Sequence, residues 1–320
     1  MNSIAPDPRA GEPASAPATG TTVRGRLLLG RVPPADLVDA RIQLHHAVQL
    51  VSTVGRTLAP REPDFANASL EWSDRGGPVG ALVGRAVHAA GDGATVRASL
   101  VFDPPSLAIE GPGGETRSLA LRGMTLAEAW EWLRASLIAA GVETSGLSPR
   151  LPDLPAHPVA EGAAFSLDPS ASAELGRWYA NADAAFRAIG RRVPAAGPVR
   201  CWTHHFDLAV LIPVPAGETD GPTPAPARSI GLGFSPGDGS HATPYLYAVP
   251  WPPPEAGSLP PAPPDGRWQV EGWVGLALDA EVVLDDQTAP RDEPAAARQA
   301  DRIEAFLDAA LEVSRLALAR

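Results

Sequence analysis

The sequence predicts an α+β protein in which antiparallel strands are covered by about four packed helices, and three observations carry that expectation. Apolar residues recur at helical spacing in four well-separated segments. Between them lie short apolar runs divided by Gly-Gly, Gly-Asp-Gly, Pro-Pro and Gly-Pro-Gly-Gly, the punctuation of an antiparallel meander. The order is helix, strands, helix, and then the same again, which suggests a duplicated plan although no residue-level identity links the halves.

The elements follow from local signals. Residues 1–25 are Pro, Ala, Gly and Thr with almost no large apolar group, and are expected to form a disordered tail. Leu37, Leu44, Val48, Val51 and Leu58 share one stripe, which predicts an amphipathic helix from Asp36 to about Leu58, ended near Pro60. Strands are expected at Ala68–Trp72, Pro78–Val83, Thr95–Phe102 and Leu107–Ile109. Thr125 and Glu128 form a capping box ahead of Leu126, Trp130, Leu133 and Leu137, and Gly141 sits where a helix ends. Those elements make up a first half, residues 26–145.

The second half, 146–320, opens with a proline-rich loop. Asp168-Pro169 then pairs an N-cap with a proline at the first helical position. Leu175, Trp178, Tyr179, Ala182, Phe186 and Ile189 are the expected buried face, and Gly190 the stop. Strands follow at Val199–Ile212, Ser229–Phe234, Tyr245–Val249 and Trp268–Leu278. Proline tracts at Pro213–Ala227 and Pro250–Pro264 interrupt them as solvated loops. A long helix spans Ala295–Arg320, with Ile303, Phe306, Leu307, Ala310 and Val313 on one side. The two halves are expected to pack as one globular unit.

Composition narrows the function classes. The 26 basic residues are all arginine, the acidic residues number 37, and the formal charge is −11. Codon bias in a GC-rich genome explains an arginine-only basic set more simply than phosphate recognition does. An acidic chain without a basic run argues against nucleic acid as a partner. One cysteine excludes an internal disulfide and a multi-cysteine zinc site. No run of 18 apolar residues and no apolar leader occur, so the expectation is a soluble, cytoplasmic protein without a membrane partner.

The chemistry-bearing candidates lie in CWTHHFDLAVLIPV. Read as one continuous strand, it places Trp202, His204, Phe206, Leu208, Val210 and Ile212 on a core face, with Cys201, Thr203, His205 and Asp207 opposite. Asp207 could orient His205 for acid–base or metal chemistry, and His241, beyond a Gly-rich turn, could join them around zinc or manganese. Cys201 and His205, four apart on one strand, lie ~13 Å apart, too far for a nucleophilic dyad. His45 and His46 diverge by ~100° on a helix and cannot readily share an ion. The run from Gly231 to Gly237 resembles a phosphate loop only superficially, because Pro236 replaces the third glycine and no helix follows. Trp130, Trp178, Trp202 and Trp273 are expected to pack helices onto sheets, or else to line an aromatic pocket for a small apolar ligand.

Two stretches carry a family resemblance. Phe206-Asp207-Leu208-Ala209 is followed by Gly233-Phe234-Ser235-Pro236-Gly237 and then by Tyr245-Leu246-Tyr247-Ala248-Val249-Pro250. This succession resembles the uncharacterised bacterial family catalogued as domain of unknown function 5996, and the likeness would extend over residues 36–318. The family's Trp-Gly-Ser is Thr203-His204-His205 here, and Ser235 stands for its turn tryptophan. The resemblance implies no catalytic residue and no cofactor.

The resulting expectation is a non-catalytic module that binds a small apolar molecule or a protein partner, with Thr203, His205, Asp207 and His241 as the candidate ligand-binding residues. The alternative is a metal-assisted enzyme centred on His205 and Asp207. A homodimer formed through the last helix is compatible with either.

Overall fold

The computed structural model describes residues 26–62, 64–90, 93–148, 153–215, 227–284 and 293–319. The expected tail at 1–25 and most of the first proline tract lie outside these residues. The chain runs as α1 (Val38–Leu58), six strands, α2 (Leu126–Ala139), α3 (Pro169–Arg192), six strands, the short α4 (Ala280–Val283) and α5 (Glu293–Leu318). The first six strands are β1 (Glu71–Ser73), β2 (Ala81–Val83), β3 (Val87–His88), β4 (Thr95–Phe102), β5 (Pro105–Glu110) and β6 (Thr116–Ala120). They form an antiparallel sheet ordered β1-β2-β4-β5-β6, with β3 paired to β4. The second set is β7 (Arg200–Trp202), β8 (Asp207–Val214), β9 (Arg228–Ser235), β10 (Tyr245–Trp251), β11 (Arg267–Gln269) and β12 (Gly275–Asp279). Its order is β11-β12-β10-β9-β8-β7, again antiparallel throughout. The fold class is α+β, with four long helices among the described residues.

The sheets meet edge to edge. Leu70 and Cys201 exchange two backbone hydrogen bonds, of 3.0 and 2.8 Å, which bridge the β1 end of one sheet to the β7 end of the other. The helices cover one side of the joined sheets. Central α3 touches β4 and β5 of the first sheet, β8 and β9 of the second, and both α1 and α5. One buried cluster runs through both halves, from Leu44, Leu100 and Leu107 to Leu208, Leu232 and Leu246. Each large side chain so buried contributes on the order of 2–3 kcal/mol. No described helix is long and apolar enough to cross a membrane.

Local signals explain the helix starts. Thr125 and Glu128 make the reciprocal capping box, with Glu128 N–H donating to Thr125 Oγ1 at 3.2 Å and Thr125 N–H to Glu128 Oε2 at 2.8 Å. Asp168 Oδ1 accepts the Ser170 N–H at 2.7 Å ahead of Pro169. Gly190 does not stop α3, which runs on to Arg192 and closes ahead of Pro194.

Three expectations about helices and strands need correcting, one of them Trp268–Leu278, which is not one strand but the antiparallel pair β11 and β12. The amphipathic reading of α1 is incomplete, because every residue from Gln43 to Gly55 is buried, including the polar ones. The continuous strand Val199–Ile212 is instead a hairpin. Its turn, residues 203–206, carries His205 and Phe206 N–H groups that both donate to Trp202 C=O, at 3.1 and 2.8 Å. Phe206 takes a left-handed φ of 58°, uncommon for a bulky residue. Trp202 and Asp207 are therefore cross-strand partners, as are Cys201 and Leu208. This reverses part of the expected face assignment. Cys201 is core, with no exposure, and Trp202 is only half-buried.

Candidate functional site

The helix-free side of the second sheet holds a cavity of about 330 Å³ lined by His205, Asp207, Ser235, Asp238, Tyr245, Tyr247, Val249 and Trp273. Its position follows from the two-residue period of the strands. Along β10 the odd residues Tyr245, Tyr247 and Val249 face outward while Leu246 and Ala248 are buried against the helices. On the neighbouring β9, Ile230, Leu232 and Phe234 point inward, and Ser229, Gly231, Gly233 and Ser235 leave the outward face nearly bare. That bare strip is where the pocket forms.

The tyrosines use that space. Tyr247 pairs with Gly233, and its ring lies flat across the glycine so that its hydroxyl reaches past β9 and donates to Asp207 Oδ2 on β8. A Cβ at position 233 would stand 2.0 Å from Tyr247 Cζ. Trp273 folds over Gly275 in the same way, with a Cβ there only 2.5 Å from its ring. Tyr245 O–H donates to Asp238 Oδ2 at 2.6 Å.

The two carboxyls differ in kind. Burial alone would raise the Asp238 pKa, but the Tyr245 hydroxyl and the Ser240 and His241 backbone N–H groups, at 2.6 and 2.8 Å, outweigh it and hold the carboxyl below its usual range. Asp207 is 8% exposed, and burial pushes its pKa up against the opposing Tyr247 hydrogen bond and the nearby His205. Its Oδ1 is buried and has no hydrogen-bond partner. Burial likewise raises the Tyr247 and Tyr245 hydroxyls, so both are neutral donors.

From the helix side the hairpin turn is held by buried polar groups. Thr203 C=O accepts from His45 Nε2 at 2.9 Å and Gln49 Nε2 at 2.5 Å, and Thr203 Oγ1 donates to Ser52 Oγ at 2.9 Å. His45 stacks on Phe206 with ring centroids 5.3 Å apart, and Tyr179 O–H donates to Phe206 C=O. Arg41 Nη1 donates to Gly237 C=O at 2.7 Å, fixing the second loop at the pocket.

The structure brings together only part of the expected set. His205 and Asp207 line the cavity, His205 exposed at its rim and Asp207 buried. Thr203 does not join them, because its side chain points away into α1. His241 stands behind Tyr245, with centroids 4.7 Å apart, and its Nε2 accepts from Arg267 Nη2 at 2.9 Å. Arg267 is in turn bidentate on Asp279, at 2.9 and 3.0 Å. His204 and His205 do not face opposite sides but share the turn tip, their rings 4.2 Å apart. Among the described residues no group of three or more His, Cys, Asp or Glu is placed to hold a metal ion.

The expected catalogue missed Tyr245, Tyr247 and Asp238. A signal for Tyr247 was present: a large residue of period two on one predicted strand beside Gly-x-Gly on the preceding one, and the register sets Tyr247 against Gly233 and Val249 against Gly231.

The profile of the family of unknown function DUF5996 matches residues 30–283, from ahead of α1 to the end of α4. The chain belongs to this family. No curated protein and no solved structure matches it. The DUF5996 region contains every residue lining the cavity and stops short of α5, which covers the inner side of β9, β10 and β12.

Replacing the glycine under Tyr247 tests this construction. Gly233→Ala is expected to cost ~1–3 kcal/mol, because the ring must lift off and surrender its bond to Asp207. Gly231→Ala on the same face meets nothing closer than 3.9 Å and should stay within ~0.5 kcal/mol of wild type. Equal shifts of the two urea midpoints would mean that Tyr247 does not lie over Gly233.

Proposed function

We propose that this DUF5996 protein is a small-molecule binding module whose site is the cavity between β8, β9, β10 and Trp273. One observation carries the reading: three aromatic rings and a carboxyl that is nine-tenths buried line the same cavity. Three aromatic rings give apolar contact, and a volume of about 330 Å³ suits a compact ligand. Thr203 acts here as a support that fixes the turn, and His241 as a support behind Tyr245. The metal-assisted alternative would need three donors around one ion, and among the described residues no such group of His, Cys, Asp or Glu is found.

A fragment screen by ligand-observed NMR tests the proposal. Val249→Trp fills the cavity from its rim, away from the buried carboxyl. Fragments that bind wild type should lose binding to this variant, with its melting temperature unchanged. Hits that persist undiminished, or an absence of hits, would sink the reading.

A further inference from the structure

We infer that the cavity selects a small organic cation, an alkylated ammonium, and this rests on the reading above that it is a small-molecule site. The ring centroids of Tyr245, Tyr247 and Trp273 form a nearly equilateral triangle, with sides of 6.0, 6.3 and 6.4 Å. Their planes are inclined to one another at 46°, 70° and 25°, and all three rings line the cavity. A positive charge seated over that triangle lies within ~6 Å of all three centroids, the range in which the negative face of an aromatic ring attracts a cation.

The charges around the cavity have the sign this needs. Tyr247 and Tyr245 each donate a hydroxyl hydrogen bond to a carboxyl, Asp207 and Asp238 respectively, which polarises the rings towards greater negative charge. Asp238 is held ionised by three donors, while Asp207 keeps an oxygen with no partner. Among the described residues no arginine lines the cavity, and the guanidinium of Arg267 lies behind His241, neutralised by Asp279. An anion would face Asp238, held ionised, beside a second carboxyl. A neutral apolar molecule would gain nothing from the ionised Asp238. A cation answers both the carboxyls and the rings. The volume accommodates a trimethylammonium head with a short tail, and His205 at the rim is placed to meet a polar group on that tail.

Choline and its uncharged isostere 3,3-dimethyl-1-butanol separate charge from shape. By calorimetry on the full chain, choline is expected to bind at least tenfold more tightly than the alcohol. Asp207→Asn keeps the side-chain shape and should weaken choline at least tenfold while leaving the alcohol unchanged. Trp273→Leu, at a half-buried loop position, should show the same selective loss. Equal affinity for the two probes overturns the cation preference and leaves the small-molecule reading standing. So does binding of neither probe when fragments still occupy the cavity and Val249→Trp removes them. Binding of neither probe, with no fragment hits, overturns both.

Discussion

Tyr179→Ala is expected to destabilise the protein by about 5 kcal/mol, the largest loss from any single side chain at the junction of the two sheets. Its ring, fully buried on α3, lies 5.9 and 5.3 Å from Trp72 and Phe102 of the first half. It lies 5.4 and 5.1 Å from Phe206 and Phe234 of the second. Deleting a buried aromatic side chain costs ~3–5 kcal/mol in lost transfer and residual cavity. The orphaned Phe206 carbonyl adds ~1–3 kcal/mol. Tyr179→Phe keeps the packing and should cost only about 1–2 kcal/mol. Urea unfolding of the two variants separates the contributions; losses of similar size would show that the hydroxyl, rather than the ring, holds the junction.

His45 governs the second expected result, a loss of stability on acidification. Burial, opposed by the hydrogen bond to Thr203 C=O and reinforced by His46, Arg41 and His205, lowers its pKa to about 4. An imidazole in the unfolded chain titrates near ~6.5. Above that pH both states are neutral and the group is without effect. As pH falls from ~6.5 towards 4 the unfolded chain takes up the proton first, so the folded state loses on the order of 3 kcal/mol. Asp183 works the other way. Burial raises its pKa to about 6, so protonation on acidification favours the folded state over much of the same window. The wild-type curve contains both effects, and the informative quantity is its difference from His45→Gln. Unfolding midpoints at pH 7, 5.5 and 4 should show wild type losing ground to the variant step by step. Parallel curves would mean that His45 is not held neutral in the fold.

Legibility in the sequence followed the range of the interaction that decides each element. The capping box at Thr125 and the Asp168-Pro169 start are settled within four residues, and both appear in the structure as the spacing implied. The strands of the second half are placed correctly wherever period-two alternation dominates, as in Ser229–Phe234 and Tyr245–Val249. The turn at 203–206 was hidden because it contains no Gly, Pro, Asn or Asp, and alternation runs through it without a break. What bends the chain there is distant in sequence: His45 and Gln49 on α1, and Tyr179 on α3. The same cause hid half of the site. Asp207 stood out beside a histidine, but its partner Tyr247 lies 40 residues away and reaches it only across the glycine face of β9. Strands β3 and β6 were missed because they are short or largely exposed, and so carry little apolar signal.

The polar stripe on α1 settles where that helix docks. Its apolar residues recur almost every turn, so hydrophobic burial by itself would accept the helix slid by one turn, ~5.4 Å along its axis. Arg41, His45, Gln49 and Ser52 would not. Each meets a fixed acceptor or hydroxyl on the loops at 203 and 237, and after such a slip those groups would be buried unpaired, at ~1–3 kcal/mol apiece. The stripe is thus a vernier for the fold: it adds little to the total free energy, yet it makes one alignment of helix and sheet far deeper than its neighbours.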